Sequence, residues 1–259
     1  MKRFRILYKF VVHFITARNT KGFGVHSPFV FKFVKFVLCD KSSYYIFTKI
    51  ESIRSELKCD RRHLNTKDFG TGIQTKRRIS NIAKCSLKSP KEGQLFFRII
   101  NYFKAKNILE LGTSLGITTL YLASSSADIQ CISLEGCPET ANVAIENIKK
   151  SGLDNIKIVV GNIDKTLMNV LRDTEKIDFV FIDSNHRYNS VIQYFEQCLK
   201  NVHSATIIII DDIYWSADME KAWKRVKDYP EVKTTIDLFH FGIIFFNSDL
   251  HKKHYKMRY

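Results

Sequence analysis

Ile108–Tyr121 reads ILELGTSLGITTLY, a short apolar run that breaks at a glycine-bearing turn and resumes as a helical stretch. Asn107–Leu111 is a β-type run, Gly112 allows a tight turn, and Gly116 lets the next helix approach a ligand closely. The same cadence continues outward from this point. Ile129–Leu134, Ile156–Val160, Ile177–Ile182 and Thr206–Ile210 are further apolar runs of strand length. Helical stretches at Thr118–Ser124, Glu139–Ser151, Lys165–Arg172 and Asn189–Asn201 separate them. Such alternation predicts an α/β fold, a parallel sheet with helices on both faces. A helix at Asp218–Asp228 then leads to Val232–Asp237 and Gly242–Phe246, whose short link predicts an antiparallel hairpin at the sheet edge.

The 106 residues before this region differ in composition. They carry 24 basic and 6 acidic side chains, a net of +18, whereas residues 107–246 carry 13 and 19, a net of −6. The expectation is a basic, mainly helical extension over residues 1–106 and a domain over residues 107–259. Phe4–Ile15 places Phe4, Leu7, Tyr8, Val11, Val12 and Ile15 at helical spacing with Lys9 on another face, and Phe29–Leu38 repeats the theme. The preferred reading is a cap that buries these apolar faces; a membrane-surface or nucleic-acid helix is the alternative. Ser27-Pro28 reads as a helix start. Residues 60–92, with Gly70, Gly72 and the cluster Lys76-Arg77-Arg78, read as a loop leading into a helix near Glu92–Phe103.

Over the whole 259 residues the net charge is +15, with 45% hydrophobic and 26% charged residues, which excludes intrinsic disorder. No apolar run reaches the roughly 18–20 residues of a spanning helix. Lys9 and His13 interrupt the apolar part of Met1–Ala17, so a cytoplasmic protein is expected rather than an exported one. Six cysteines without a CxxC pair suggest reduced, buried side chains.

Ligands of open α/β sheets bind beyond the C-terminal ends of the strands. The turn after the first strand is G-x-x-x-G, not the G-x-G-x-x-G of pyrophosphate binding, and no P-loop lysine follows. Glu110, two residues before Gly112, would repel a phosphate and suits a cationic or hydroxyl-bearing ligand. Glu135 ends the second strand 23 residues after Gly112, the spacing at which a carboxylate takes both ribose hydroxyls. A nucleoside without phosphates is implied, with S-adenosylmethionine as the candidate.

At this point Ile108–Tyr121 resembles the first motif of class I S-adenosylmethionine-dependent methyltransferases. Over about Asn107–Phe246 the later motifs resemble the catechol O-methyltransferase-like, cation-dependent branch. The resemblance implies a Rossmann-like seven-stranded sheet, parallel with one antiparallel edge strand. It also implies that Glu110, Gly112 and Gly116 line the methionine side of the cofactor, with Thr113 and Ser114 of the same turn among the cofactor-binding residues. Glu135 would bind ribose, and Gly161, Asn162 and Ile163 would lie by the adenine.

The fourth and fifth strands end in acid, Asp183 on one and Asp211-Asp212 on the other. Were these strands neighbours, about 4.8 Å apart, the three carboxylates would converge. Hard oxygen donors of this kind suit Mg²⁺, Mn²⁺ or Ca²⁺. The resemblance implies a cation here too, although its members carry Asn where this chain has Asp212. In the alternative, Asp183 touches the cofactor and the Asp pair caps the next helix. His186 stands where catechol-type enzymes place a catalytic lysine, and an imidazole titrating near ~6.5 suits a general base, beside a purely structural role. Asp183 and His186 are thus the expected catalytic pair. Tyr188, Tyr214 and Trp215 would wall a flat acceptor or pack beneath the extension, while His26 and His240 are polar candidates without a role.

The expected function is S-adenosylmethionine-dependent O-methylation of a small-molecule hydroxyl, assisted by a divalent cation. Two alternatives stand beside it: an RNA methyltransferase using the basic extension, and a non-catalytic cofactor-binding scaffold. No base-amine motif and no strand-end cysteine nucleophile support the first of these. Peripheral membrane contact and a homo-oligomer stay open.

Overall fold

Described here from a computed structural model are residues 2–67 and 74–259. Gly70 and Gly72, which the sequence marked as breakers, lie outside the described residues. The chain begins with α1 (Lys2–Thr16), α2 (Pro28–Phe33, prolonged by a wider π-type turn over Val34–Leu38) and α3 (Tyr45–Cys59). β1 (His63–Lys67), β2 (Gln74–Arg78), α4 (Ile79–Cys85) and α5 (Pro90–Phe103) follow. Then come β3 (Asn107–Leu111), α6 (Ile117–Ala123), β4 (Gln130–Glu135), α7 (Pro138–Ser151), β5 (Ile156–Val160) and α8 (Ile163–Arg172). The last part comprises β6 (Phe179–Ile182), α9 (Tyr188–Leu199), β7 (Ile207–Asp211), α10 (Ala217–Asp228), β8 (Thr234–Asp237), β9 (Phe241–Phe245) and β10 (Lys253–Lys256). The architecture is α/β and Rossmann-like.

These elements form two compact units, residues 41–173, and residues 1–40 with residues 174–259. The division does not fall at 106/107: residues 1–40 belong with the C-terminal strands, and residues 41–106 with the first three strands of the alternating region. Charge follows the same partition. The first unit named holds 21 basic and 13 acidic residues and the second 20 and 13, so the contrast between sequence halves evens out.

Within residues 41–173, β3, β4 and β5 run parallel, Ile108 opposite Cys131 and Cys131 opposite Ile156. α3 buries Ile46, Phe47, Ile50, Ile53 and Leu57, a stripe at helical spacing, in one core with Leu120 and Tyr121 of α6 and Val143 and Ile148 of α7. α5 starts with a capping box, in which Ser89 Oγ accepts from Glu92 N while the Glu92 carboxylate accepts from Ser89 N. The stretch expected to be a loop contains the antiparallel pair β1–β2, with His63 opposite Arg78, followed by α4. Its residues are mostly polar and exposed, so no apolar alternation announced it. A two-stranded hairpin is marginal by itself, and here α7 supports it: the Glu139 carboxylate accepts from Asn65 N and Nδ2 at 2.6 and 3.0 Å, and Arg62 pairs with Glu146 at 2.9 Å.

In the other unit the strand order is β10-β8-β9-β7-β6. β6 and β7 are parallel, as are β8 and β10, and β9 is antiparallel to both its neighbours. All residues of β6 to β9 are buried, and the Ile and Phe runs of β6, β7 and β9 are those of strands covered on both faces. Trp223 of α10 lies so close over β9 that a Cβ at Gly242 would come within 2.4 Å of its ring, which makes glycine obligatory there. The β8–β9 hairpin forms as expected, but β10 pairs outside it. Lys253–Lys256 buries only Tyr255, too little apolar pattern to read as a strand.

The two N-terminal helices split the expectation of a cap. α2 and its continuation bury Val30, Phe33, Val34 and Val37, and Phe29 and Phe33 meet Phe245 edge-on at 5.1 and 5.4 Å. Ser27 Oγ accepts from Val30 N, and Pro28 is the first helical residue. α1 does the reverse. Phe4, Leu7, Tyr8, Val11 and Ile15, expected to be buried, are exposed.

Candidate active site

The turn between β3 and α6 departs from ordinary backbone at three positions, with φ of 105° at Gly112, 50° at Ser114 and 82° at Gly116. Gly112 N and Thr113 N both donate to Leu134 O, at 2.9 and 3.2 Å, which ties the turn to the end of β4. Ser114 N, turned outward by its left-handed backbone, donates to Glu135 Oε2 at 2.8 Å, and Cys137 N donates to Oε1 at 2.9 Å. Burial pushes the Glu135 carboxyl above its usual 4.5, and these N–H groups pull against it without cancelling it. Glu135 is partly exposed and already oriented by main chain.

Glu110, the other acid expected at the cofactor, lies inside the protein. It is fully buried, and its Oε2 accepts from Thr119 Oγ1 at 2.5 Å and Ser133 Oγ at 2.6 Å. Ser133 Oγ in turn lies 2.5 Å from Thr113 Oγ1. This chain of short bonds joins β3, α6, β4 and the turn beneath Ser114. The missing Cβ of Gly116 faces α7, where it would meet Ala144 Cβ at 3.1 Å, so this glycine permits helix packing. Asn162 caps α8 by accepting from Asp164 N at 3.0 Å, and Ile163 is buried in the first turn of that helix. Gly161 N donates to Glu135 O at 2.9 Å, placing the start of α8 beside the same carboxylate residue.

The other strand ends carry side chains. The neighbouring parallel strands β6 and β7 end in Ile182 opposite Ile210. Asp183 follows β6, and Asp211, wholly buried, ends β7. The next residue, Asp212, leaves the extended conformation with φ of 53°. His186 stands between the two partly exposed acids, its Nε2 3.7 Å from Asp183 Oδ1 and 3.9 Å from Asp212 Oδ2. Among the described residues no three His, Cys, Asp or Glu side chains are arranged to hold a metal ion. The trio Asp183, Asp211 and Asp212 therefore does not fit the expected cation site. Asp211 is wholly buried, and an imidazole lies between the other two.

Two neighbours went unnoticed in the sequence. Asn185 has φ of 48°, and its Nδ2 donates to Ser190 Oγ at 2.8 Å. Ser184 Oγ and Asn185 Oδ1 are buried atoms without a hydrogen-bond partner. Buried polar atoms of this sort carry a cost that a ligand can relieve. The only hint available was that asparagine tolerates left-handed backbone.

Of the expected wall, Trp215 is exposed, and Lys221 Nζ lies 5.0 Å from the Tyr188 ring centroid. Tyr214 is engaged elsewhere. Its hydroxyl donates to Asp237 Oδ2 at 2.6 Å and its ring stacks on Phe239 at 5.3 Å. Burial first, and then the Asp237 charge, push its hydroxyl far above the usual range. His26 and His240 are both exposed.

A sequence model described as O-methyltransferase matches residues 74–253, most of the chain and both sets of strand ends. The chain belongs to the O-methyltransferase family. The match starts at β2, so it takes in α4 and α5 as well as the alternating region. An O-methyltransferase of Aspergillus flavus, imqG, is 36% identical over 116 residues, covering 42% of this chain and 45% of that protein. A catechol O-methyltransferase of Niastella koreensis is 30% identical over 128 residues, covering 48% and 57%. The chain thus spans about half the length of the curated relatives it matches. A solved O-methyltransferase from Bacillus cereus, in complex with SAH, shares the fold of this family member with a TM-score of 0.57. The two are 21% identical, with 83% of this chain and 96% of that one covered.

Proposed function

We propose that this protein is an S-adenosylmethionine-dependent O-methyltransferase acting on the hydroxyl of a small molecule, with Glu135 as the ribose ligand and His186 as the general base. S-adenosylmethionine, when bound, supplies a sulfonium methyl group as electrophile. The observation that carries the reading is the Glu135 carboxylate. Its two oxygens are oriented by the main-chain N–H groups of Ser114 and Cys137, with Gly136 N–H beside them. An ionised carboxylate has about four acceptor sites, so acceptor capacity is left for the ribose hydroxyls. Family membership and a structural neighbour solved with SAH support the same cofactor.

His186 would take the acceptor's hydroxyl proton on Nε2, leaving the oxygen lone pair to form the new O–C bond as the C–S bond breaks. Asp183 and Asp212, on either side, would hold the ring and stabilise the imidazolium that results. Ser184 Oγ and Asn185 Oδ1 are available to orient the acceptor. No step is assigned to a cation, because the donor set does not fit one. The relatives' names, catechol O-methyltransferase among them, support a phenolic acceptor.

The experiment is transfer of a labelled methyl group from S-adenosylmethionine to a panel of catechols and simple phenols, alongside calorimetry with the cofactor alone. Cofactor binding with methylation of at least one hydroxyl is expected. No cofactor binding by the wild type would remove the basis of the reading; cofactor binding without transfer to any acceptor would favour the scaffold.

A further inference from the structure

α1 is amphipathic in the reverse sense. Arg5, Lys9 and His13, spaced four apart, form the stripe that faces its own unit. Arg5 Nη1 and Lys9 Nζ both pair with Glu220, at 3.4 and 2.9 Å, and Arg5 Nη2 donates to Tyr214 O at 3.0 Å. His13, buried, lies 3.0 Å from Asp237 Oδ1. Both acids are themselves nearly buried, so three polar anchors fix the rotation of the helix about its axis.

The opposite side is apolar. Phe4, Leu7, Tyr8, Val11 and Ile15 are 81, 59, 66, 46 and 68% exposed, and Phe14 is exposed beside them. At about 100° per residue these positions cover an arc of roughly 120° that contains no charged side chain. Water-facing helices of globular proteins show the opposite pattern, and an exposed apolar arc of this width marks a contact surface.

We propose that this face of α1 docks on an anionic lipid bilayer, with the helix lying in the interface. Residues 1–40 carry eight basic side chains against one acid, Asp40. An anionic headgroup layer complements the exposed basic side chains of the same unit, Arg18, Lys21, Lys32, Lys35 and Arg258. The apolar arc has no counterpart on a phosphate backbone. Aromatic residues continue along the same segment, with Phe23, Phe31 and Phe36 exposed among the exposed Lys21, Lys32 and Lys35. Lys35 Nζ lies 5.3 Å from the Phe36 ring, and the Arg258 guanidinium sits 3.9 Å over Phe14 at the edge of the arc. Apolar side chains rimmed by long cationic ones are the composition of an interfacial helix. Fifteen residues give a helix of about 22 Å, and no helix among the described residues is long and apolar enough to cross a membrane. The helix therefore lies on the surface rather than spanning it.

The test is flotation of the full chain with phosphatidylcholine vesicles, with and without about 30% phosphatidylserine, at low and high salt. It does not depend on methyl transfer. Binding to the anionic vesicles should exceed binding to neutral ones by about tenfold or more and weaken with salt. The combined variant Leu7→Gln, Val11→Gln, Ile15→Gln changes only exposed positions and should bind at least about tenfold more weakly. As a second measurement, Leu7→Trp should add fluorescence that shifts to the blue on anionic vesicles alone. Absence of vesicle binding, equal binding by the triple variant, or an unshifted tryptophan would overturn the proposal. So would a wild-type dimer that the triple variant abolishes, which would give the face to a second copy.

Discussion

At the ends of β3 and β4 a carboxylate is gripped by main chain, Ser114 N and Cys137 N on the two oxygens of Glu135. At the ends of β6 and β7 side chains face one another instead, His186 between Asp183 and Asp212. Backbone donors are set by the turn and change little with side-chain identity, which suits a ligand part that never varies, such as a nucleoside. Side-chain constellations can be rebuilt one residue at a time. His186 and Asp212, where the family resemblance of the sequence implies lysine and asparagine, are differences of that kind. Both strand-end sets store left-handed backbone at non-glycine residues, Ser114 on one side and Asn185 and Asp212 on the other. Strain of this sort persists where the surroundings over-determine it.

The sharpest way to break the comparison is to remove the proposed base. His186→Ala should lower kcat by about 10²–10⁴ while leaving cofactor affinity within about twofold of wild type, since the residue belongs to the acceptor set. Turnover and calorimetry on the same preparation check this. A loss confined to cofactor affinity would move His186 to the other set.

Glu135→Ala should do the converse. Hydrogen bonds to a charged group are worth about 1.5–3 kcal/mol, so S-adenosylmethionine or its demethylated product should bind roughly tenfold or more weakly. At saturating cofactor, kcat should recover most of its value. Unchanged affinity in the variant would leave Glu135 as a brace of the turn and nothing more.

How far the sequence carried these assignments depended on the kind of signal. The strands from β3 to β9 were legible from short apolar runs bounded by turn chemistry, unbroken and buried on both faces in β6, β7 and β9. β1, β2 and β10 were not, because strands with charged and polar side chains carry no hydrophobic alternation, and their pairing comes from backbone and from partners such as Glu139. Glu135 was legible from its distance along the chain from Gly112. That Thr119 and Ser133 reach Glu110 Oε2 inside the protein was not legible, since an acid at a strand end looks the same in sequence with or without such donors. α1 and α2 show the limit most plainly. Both mix phenylalanine, valine and lysine at helical spacing. One buries its apolar stripe and the other turns its basic stripe inward, because Glu220 and Asp237, more than 200 residues away, wait beneath α1.

A smaller effect probes the frame of the cofactor turn. Gly116→Ala would place a methyl group 3.1 Å from Ala144 Cβ on a residue with φ of 82°. The cost should be about 1–2 kcal/mol of stability, seen as a lower denaturant midpoint with an unchanged slope. On the acceptor side no glycine plays this part, so the comparison predicts that such backbone sensitivity is confined to the first set. A neutral substitution would mean that α6 and α7 can part without disturbing the turn.

The smallest effect is on pH, and it has opposite signs for stability and for binding. Burial raises the Glu135 carboxyl above 4.5 against the pull of the Cys137, Ser114 and Gly136 N–H groups. An acid whose folded value is raised binds its proton more tightly in the native state, so its contribution to stability is present at low pH and fades as pH rises through that value. Ribose hydroxyls need the ionised form as acceptor. Lowering the pH from neutrality toward 4.5 should therefore stabilise the free protein at this residue while weakening the cofactor complex. The weakening reaches about twofold when half the carboxyls are protonated. Calorimetric titrations across that window, repeated on Glu135→Gln, isolate the term, because the variant has no proton to take up there. If wild type and variant lose affinity in parallel as the pH falls, the proton belongs to another group and the backbone-held carboxylate is not the ribose ligand.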